Sequence, residues 1–194
     1  MSEVVMGDCC LVTGAYIRKI FRIFTFADFC ADKVEYTSCT SSKTLESGDT
    51  LKILTYNVKQ LLHWSDVENV KKISYFVLST DSDVVCLQEV FDEKSRDLFR
   101  TLLSHKYSNI VERAGYDKYC NIGEDSGLMI FSKFEIVGTD FKVYDNTGNF
   151  TDSLANKGAL RVDLKINSQA TLTVIDTHLD TDRDTALKQL LLYR

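Results

Sequence analysis

LKILTYNV at residues 51–58 and VVCLQEV at residues 84–90 decide how this chain is read. Each is an apolar run of strand length that ends in a side chain with an oxygen donor. Asn57 closes the first run, and Gln88 with Glu89 the second. Apolar runs this short, bounded by polar segments, predict strands buried on both faces. A carboxylate at the end of such a strand costs on the order of several kcal/mol unless something pairs with it. Magnesium suits that position, because it takes one or two carboxylates and leaves its other sites to water and phosphate. The competing reading is a solvated strand-end glutamate.

Between the two runs, Ser65 is followed three residues later by Glu68. That capping-box pattern predicts a helix starting at Asp66, with Val67, Val70, Ile73 and Val77 as its core-facing stripe. Asp81-Ser82-Asp83 ends it. Strand, helix and strand make a βαβ unit with parallel strands and a right-handed crossover. Asn57 and Glu89 would then converge at the carboxyl ends of neighbouring strands, where open α/β sheets bind ligands.

Downstream, Asp92 is placed to cap a second helix whose apolar face is Leu98, Phe99, Leu102 and Leu103. The texture then turns to β, with strands predicted over 107–113, 128–132, 135–144, 158–166 and 170–178. RVDLKI alternates strictly, Arg161, Asp163 and Lys165 against Val162, Leu164 and Ile166, and Asn167-Ser168-Gln169 turns it back into an antiparallel hairpin. Residues 182–193 read as a helix with Leu187, Leu190 and Leu191 on one side.

Residues 1–49 differ in character. AYIRKIFRIFTFADFC (15–30) spaces Ile17, Ile20, Phe21 and Phe24 helically, with Arg18, Lys19 and Arg22 between them. Such a basic amphipathic helix either lies peripherally on an anionic membrane or packs on the domain or a partner. TSCTSSKTLESGDT (37–50) is Ser/Thr-rich and reads as a flexible linker. These features divide the chain into an N-terminal extension, 1–49, and a domain, 50–194.

The composition, 44% hydrophobic and 26% charged over 194 residues, excludes wholesale disorder and allows one domain with a real core. A formal net charge of -5 argues against a non-specific nucleic-acid binder, although a nuclease with a local basic patch is compatible with it. Six cysteines show no CxxC pairing, which argues against a zinc site, and Cys86 reads as a buried thiol. Together they point to a reducing, intracellular setting, cytoplasmic or peripherally membrane-associated. No apolar run is long enough to span a bilayer.

Taken in order, TYNV (55–58), LQEV (87–90), SGLMIFSK (126–133), NKGAL (156–160) and DTHLD (176–180) resemble the endonuclease/exonuclease/phosphatase superfamily over about residues 51–194. SGLMIFSK, LANKG and THLD followed by Leu-Lys-Gln are most similar to its neutral sphingomyelinase branch. The resemblance implies an α/β fold, the N-terminal half of a four-layer α/β/β/α sandwich of the deoxyribonuclease I type. It implies that Glu89 is the principal Mg2+ ligand, with Asn57 beside it holding the metal or a phosphate oxygen. His178 would orient or stabilise the phosphoryl group, and Lys157 would neutralise phosphate charge as a mobile point charge. The alternatives are a structural hydrogen-bonding role for His178 and an ordinary surface position for Lys157. His63 and His105 match none of these motifs.

The superfamily's later Asp-x-Asn and Ser-Asp-His motifs, which orient the nucleophile and activate the attacking water, have no counterpart after Asp184. The chain is therefore expected to be a truncated relative, with an open sheet face and strand edge that favour aggregation. The activity implied is magnesium-dependent phosphodiester hydrolysis, with sphingomyelin or another phospholipid as the preferred substrate and weak or no turnover by this chain alone. A nuclease or phosphoinositide phosphatase of the same superfamily, or a non-catalytic binding module, are the alternatives.

Overall fold

In the computed structural model, which describes residues 10–11, 34–40, 43–61, 66–115, 125–144, 157–179 and 183–191, the runs resolve into two sheets and three helices. In chain order they are β1 (Cys10–Leu11), β2 (Val34–Cys39), β3 (Ile53–Gln60), α1 (Val67–Thr80), β4 (Val84–Val90), α2 (Glu93–Leu103), β5 (Asn109–Ala114), β6 (Met129–Ser132), β7 (Glu135–Val143), β8 (Gly158–Lys165), β9 (Thr171–Thr177) and α3 (Arg183–Leu191). The larger sheet runs β1-β2-β5-β6-β4-β3 and the smaller β7-β8-β9. Among the described residues only β3 and β4 pair in parallel, from Ile53 opposite Val84 to Asn57 opposite Gln88, as a βαβ unit requires.

Two apolar layers follow from strand alternation. Val85, Leu87, Met129 and Phe131 of the larger sheet meet Val70, Ile73 and Val77 of α1 and Phe99 and Leu103 of α2. Val84, Cys86, Val111 and Ile130 point the other way and pack on Phe141, Leu160, Val162, Leu164 and Val174 of the smaller sheet. Helices, sheet and sheet are thus stacked in the order that the sandwich demands.

Several sequence-based expectations are corrected. β4 is buried along its length, but β3 is the outermost strand of its sheet, so Ile53 is 51% exposed and Tyr56 and Asn57 are also open. The α1 cap is Asp66, whose carboxylate accepts from Asn69 N at 3.0 Å, one residue later than the box anchored on Ser65 predicts. Val67 consequently stands in the first turn at 45% exposure and leaves the core stripe. Asp92 caps α2 as expected, accepting from Ser95 N at 2.8 Å. On α3, among the side chains described, Thr185 and Gln189 are buried while Leu187 is half exposed; Leu190 and Leu191 lie outside them.

The linker expected over 37–50 is built into the fold. β2 lies antiparallel to β5, from Val34 opposite Ala114 to Thr37 opposite Ile110. Ser38 Oγ donates to Asn109 Oδ1 and accepts from Ile136 N, joining the two sheets. Lys43 N donates to Lys133 O, Leu45 N to Ile166 O, and the Leu45 side chain is buried. Short hydroxyl side chains read as linker here because their partners are distant in sequence. The basic segment 15–30, with its proposed membrane or partner contact, lies outside the described residues, as does His63. No helix among the described residues is long and apolar enough to cross a membrane.

Candidate active site

Strict alternation along β4 would send Glu89 to the helix side, with Val85 and Leu87. Two local distortions redirect it. Opposite Glu89, the β3 register jumps from Asn57–Gln88 to Gln60–Val90, so Val58 and Lys59 together face one residue. This is a β-bulge, which re-aims side chains at the end of a ladder. Glu89 itself has φ +60° and Lys59 φ +51°. That left-handed conformation costs a non-glycine residue about 1–3 kcal/mol and persists only where its surroundings impose it.

The surroundings that impose it are identifiable. Val90 N donates to Gly127 O at 2.9 Å, and Phe91 N and Asp92 N both donate to Gln60 O. Arg96 donates to Val90 O and forms a buried ion pair with Asp125 at 2.7 Å. Asp125 in turn accepts from Gly127 N at 2.8 Å. The end of β4 is thus gripped from both sides.

As a result Glu89 meets two of the residues singled out from sequence. Asn57 Nδ2 donates to Glu89 Oε1 at 2.6 Å, and His178 Nε2 lies 3.4 Å from the same oxygen. Lys59 N donates to Asn57 Oδ1, which fixes the amide. The side chains of Glu89 and His178 are about one fifth exposed. Lys157 is not a surface lysine: it is 3% exposed, and its ammonium donates to Leu179 O at 3.2 Å, one residue beyond His178. His105 is exposed between α2 and β5.

Sequence reasoning missed the pair beneath this group. Gln88 Nε2 donates to Asp176 Oδ1 at 2.7 Å and to Thr55 Oγ1 at 3.0 Å. Asp176 is 5% exposed, and its second oxygen, Oδ2, is buried with no hydrogen-bond partner among the described residues. Burial pushes its carboxyl up to about 7, against the pull of the hydrogen bonds from Gln88 and the Thr177 amide. The signal was available in β9: Leu172, Val174 and Asp176 fall on one inward-facing row, so a carboxyl continues an apolar stripe.

The donor set at Glu89 suits the expected magnesium. Among the described residues no group of three or more His, Cys, Asp and Glu converges, so the protein offers one carboxylate and one amide. The Asn57 amide turns Nδ2 to Glu89 and Oδ1 to Lys59 N, so in this arrangement the oxygens offered to a cation are those of Glu89. Mg2+ accepts as few as one protein carboxylate, its other positions going to water and phosphate.

The Endonuclease/Exonuclease/phosphatase family matches residues 54–193. Sphingomyelinase C of Bacillus cereus is 30% identical over 162 residues, covering 75% of this chain and 48% of that protein. The crystal structure of sphingomyelinase C from Streptomyces griseocarneus superposes with a TM-score of 0.62 at 26% identity, covering 73% of this chain and 55% of that one. A variant of beta toxin from Staphylococcus aureus, solved with bound magnesium ions, gives a TM-score of 0.60 at 22% identity over 71% of this chain and 52% of that one. The chain spans about half the length of these relatives.

Proposed function

Since the chain belongs to the Endonuclease/Exonuclease/phosphatase family, we propose that the edge formed by Asn57, Glu89 and His178 is the cation- and phosphate-binding part of a phosphodiesterase site for a phospholipid of the sphingomyelin class. The observation that carries this reading is the meeting of an amide and an imidazole on one glutamate oxygen, at 2.6 and 3.4 Å, where two strands end. Glu89 and Asn57 would hold Mg2+. When bound, the ion supplies Lewis-acid polarisation of a phosphoryl oxygen and offsets charge on the leaving oxygen. In this reading His178 would donate to a phosphate oxygen beside the cation, and the Lys157 ammonium would add positive potential. The lipid preference draws support from the sphingomyelinase relatives and from the net negative charge, which suits DNA less well.

No Asp-x-Asn or Asp-His follows Asp184, so these residues include no counterpart of the family's water-activating pair. Loss of one such group costs on the order of 10²–10⁴-fold in rate. We therefore expect the 194-residue chain to bind Mn2+ or Mg2+ and to show no measurable turnover. The test is calorimetric titration with Mn2+, alongside Mg2+-dependent assays on sphingomyelin vesicles, phosphoinositide vesicles and DNA. Glu89→Gln should weaken Mn2+ binding tenfold or more. Unchanged binding would remove the cation from this site, and DNA cleavage with inert lipid would replace the substrate class.

A further inference from the structure

The contact between the two sheets is largely apolar near the site, through Val84 and Cys86 on β4 and Leu172 and Val174 on β9. Apolar contact is non-directional and does not fix how far one strand slides along another. Yet Glu89 and His178, one on each sheet, stand 3.4 Å apart. The last step of the interface before them is polar and directional: Gln88 Nε2, the neighbour of Glu89, reaches Asp176 Oδ1, two residues before His178, at 2.7 Å. The same amide nitrogen is tied to Thr55 on β3, two residues before Asn57. One amide thus links all three strands that carry the site, one step inside it.

The group that receives this bond is poorly suited to a purely structural task. An apolar residue would continue the Leu172–Val174 row, whereas Asp176 leaves one oxygen buried with no partner among the described residues. A buried polar atom without a partner weakens the fold. We propose that Asp176, acting through Gln88, is a positioning residue that sets the separation of Glu89, Asn57 and His178. The proposal rests on the phosphodiesterase reading for what the three residues do, and not for how they are held.

The test uses the full chain with two readouts. The first needs no metal: the side-chain amide signals of Asn57 in a 1H–15N spectrum, identified by their loss in Asn57→Asp, report its short bond to Glu89. The second is Mn2+ affinity by calorimetry. Asp176→Val removes the acceptor with a strand-favouring apolar side chain, and Gln88→Met removes the donor. Both should move the Asn57 signals towards those of a solvent-exposed amide and weaken Mn2+ binding about tenfold. Asp176→Val should melt no lower than the native chain. Asp176→Asn keeps the Oδ1 acceptor and should restore both readouts. A lower melting temperature with unmoved Asn57 signals would reduce Asp176 to a structural residue. Equal disturbance by Asp176→Asn and Asp176→Val would show that charge acts and the hydrogen bond does not. Should Asp176→Val fail to fold, Gln88→Met decides. If Glu89→Gln leaves native Mn2+ binding untouched, the cation reading fails, while the Asn57 signals still decide the positioning role.

Discussion

Glu89 and Asp176 are both carboxyl groups at the ends of strands, and their surroundings give them opposite characters. Glu89 is partly open to solvent and faces an amide and an imidazole. Asp176 is enclosed, with a carboxyl raised to about 7 by burial from an ordinary value of 3.8. Between those two pH values the folded chain keeps a proton that the unfolded chain has released. The folded state therefore binds more protons, and this contribution to stability is full below pH 4 and is lost as pH rises through 7. Its size is on the order of a few kcal/mol. Asp176→Asn does not titrate, so the melting temperature of the native chain relative to this variant should fall by several degrees between pH 4 and pH 7.5. A constant difference across that range would return Asp176 to ordinary acidity. The placement of Glu89 near Asn57 was legible, because strand-length runs ending in oxygen donors mark a sheet's carboxyl edge. Asp176 was not, since the DTH motif drew attention to His178 and away from the inward parity of its neighbour.

Secondary structure was read well wherever periodicity was strong and less well wherever a terminus or an edge decided burial. The alternation of β8 and the capping aspartate of α2 appear in the structure at the expected positions. Val67 and Leu187 fit an apolar stripe by spacing, but the first turn of α1 and the outer side of α3 leave them exposed. Nor did the sequence announce the left-handed Glu89, whose conformation comes from the bulge in β3 and from the grip of distant residues. Gly127 is central to that grip. Its φ is +65°, and a Cβ there would stand 2.6 Å from the Phe91 ring. Gly127→Ala should destabilise the chain by about 1–3 kcal/mol in urea unfolding. Gly138→Ala, at a position without positive φ, should cost less. Equal losses at the two glycines would show that the turn beneath β4 is not under conformational constraint.

For the molecule as a whole, the element pattern gave the βαβ unit and the hairpin, the family resemblance implied the layer order, and the contribution of residues before 50 was not legible. β2 enters the larger sheet between β1 and β5, and its pairing with β5 spans more than seventy positions of sequence, beyond the reach of any local pattern. The same long-range construction leaves Cys86 on the face of β4 that is turned towards the smaller sheet. Burial, and secondarily the field of Asp176, raise its thiol well above the ordinary range. A thiol so enclosed reacts with iodoacetamide only during moments when the layers separate, because the reagent needs both access and the thiolate. In native buffer Cys86 should be alkylated at least on the order of a hundredfold more slowly than in urea, as read by mass spectrometry of its peptide. A comparable rate in both would mean that the layers breathe freely. The molecule thus carries an internal chemical clock for the opening of its own interior.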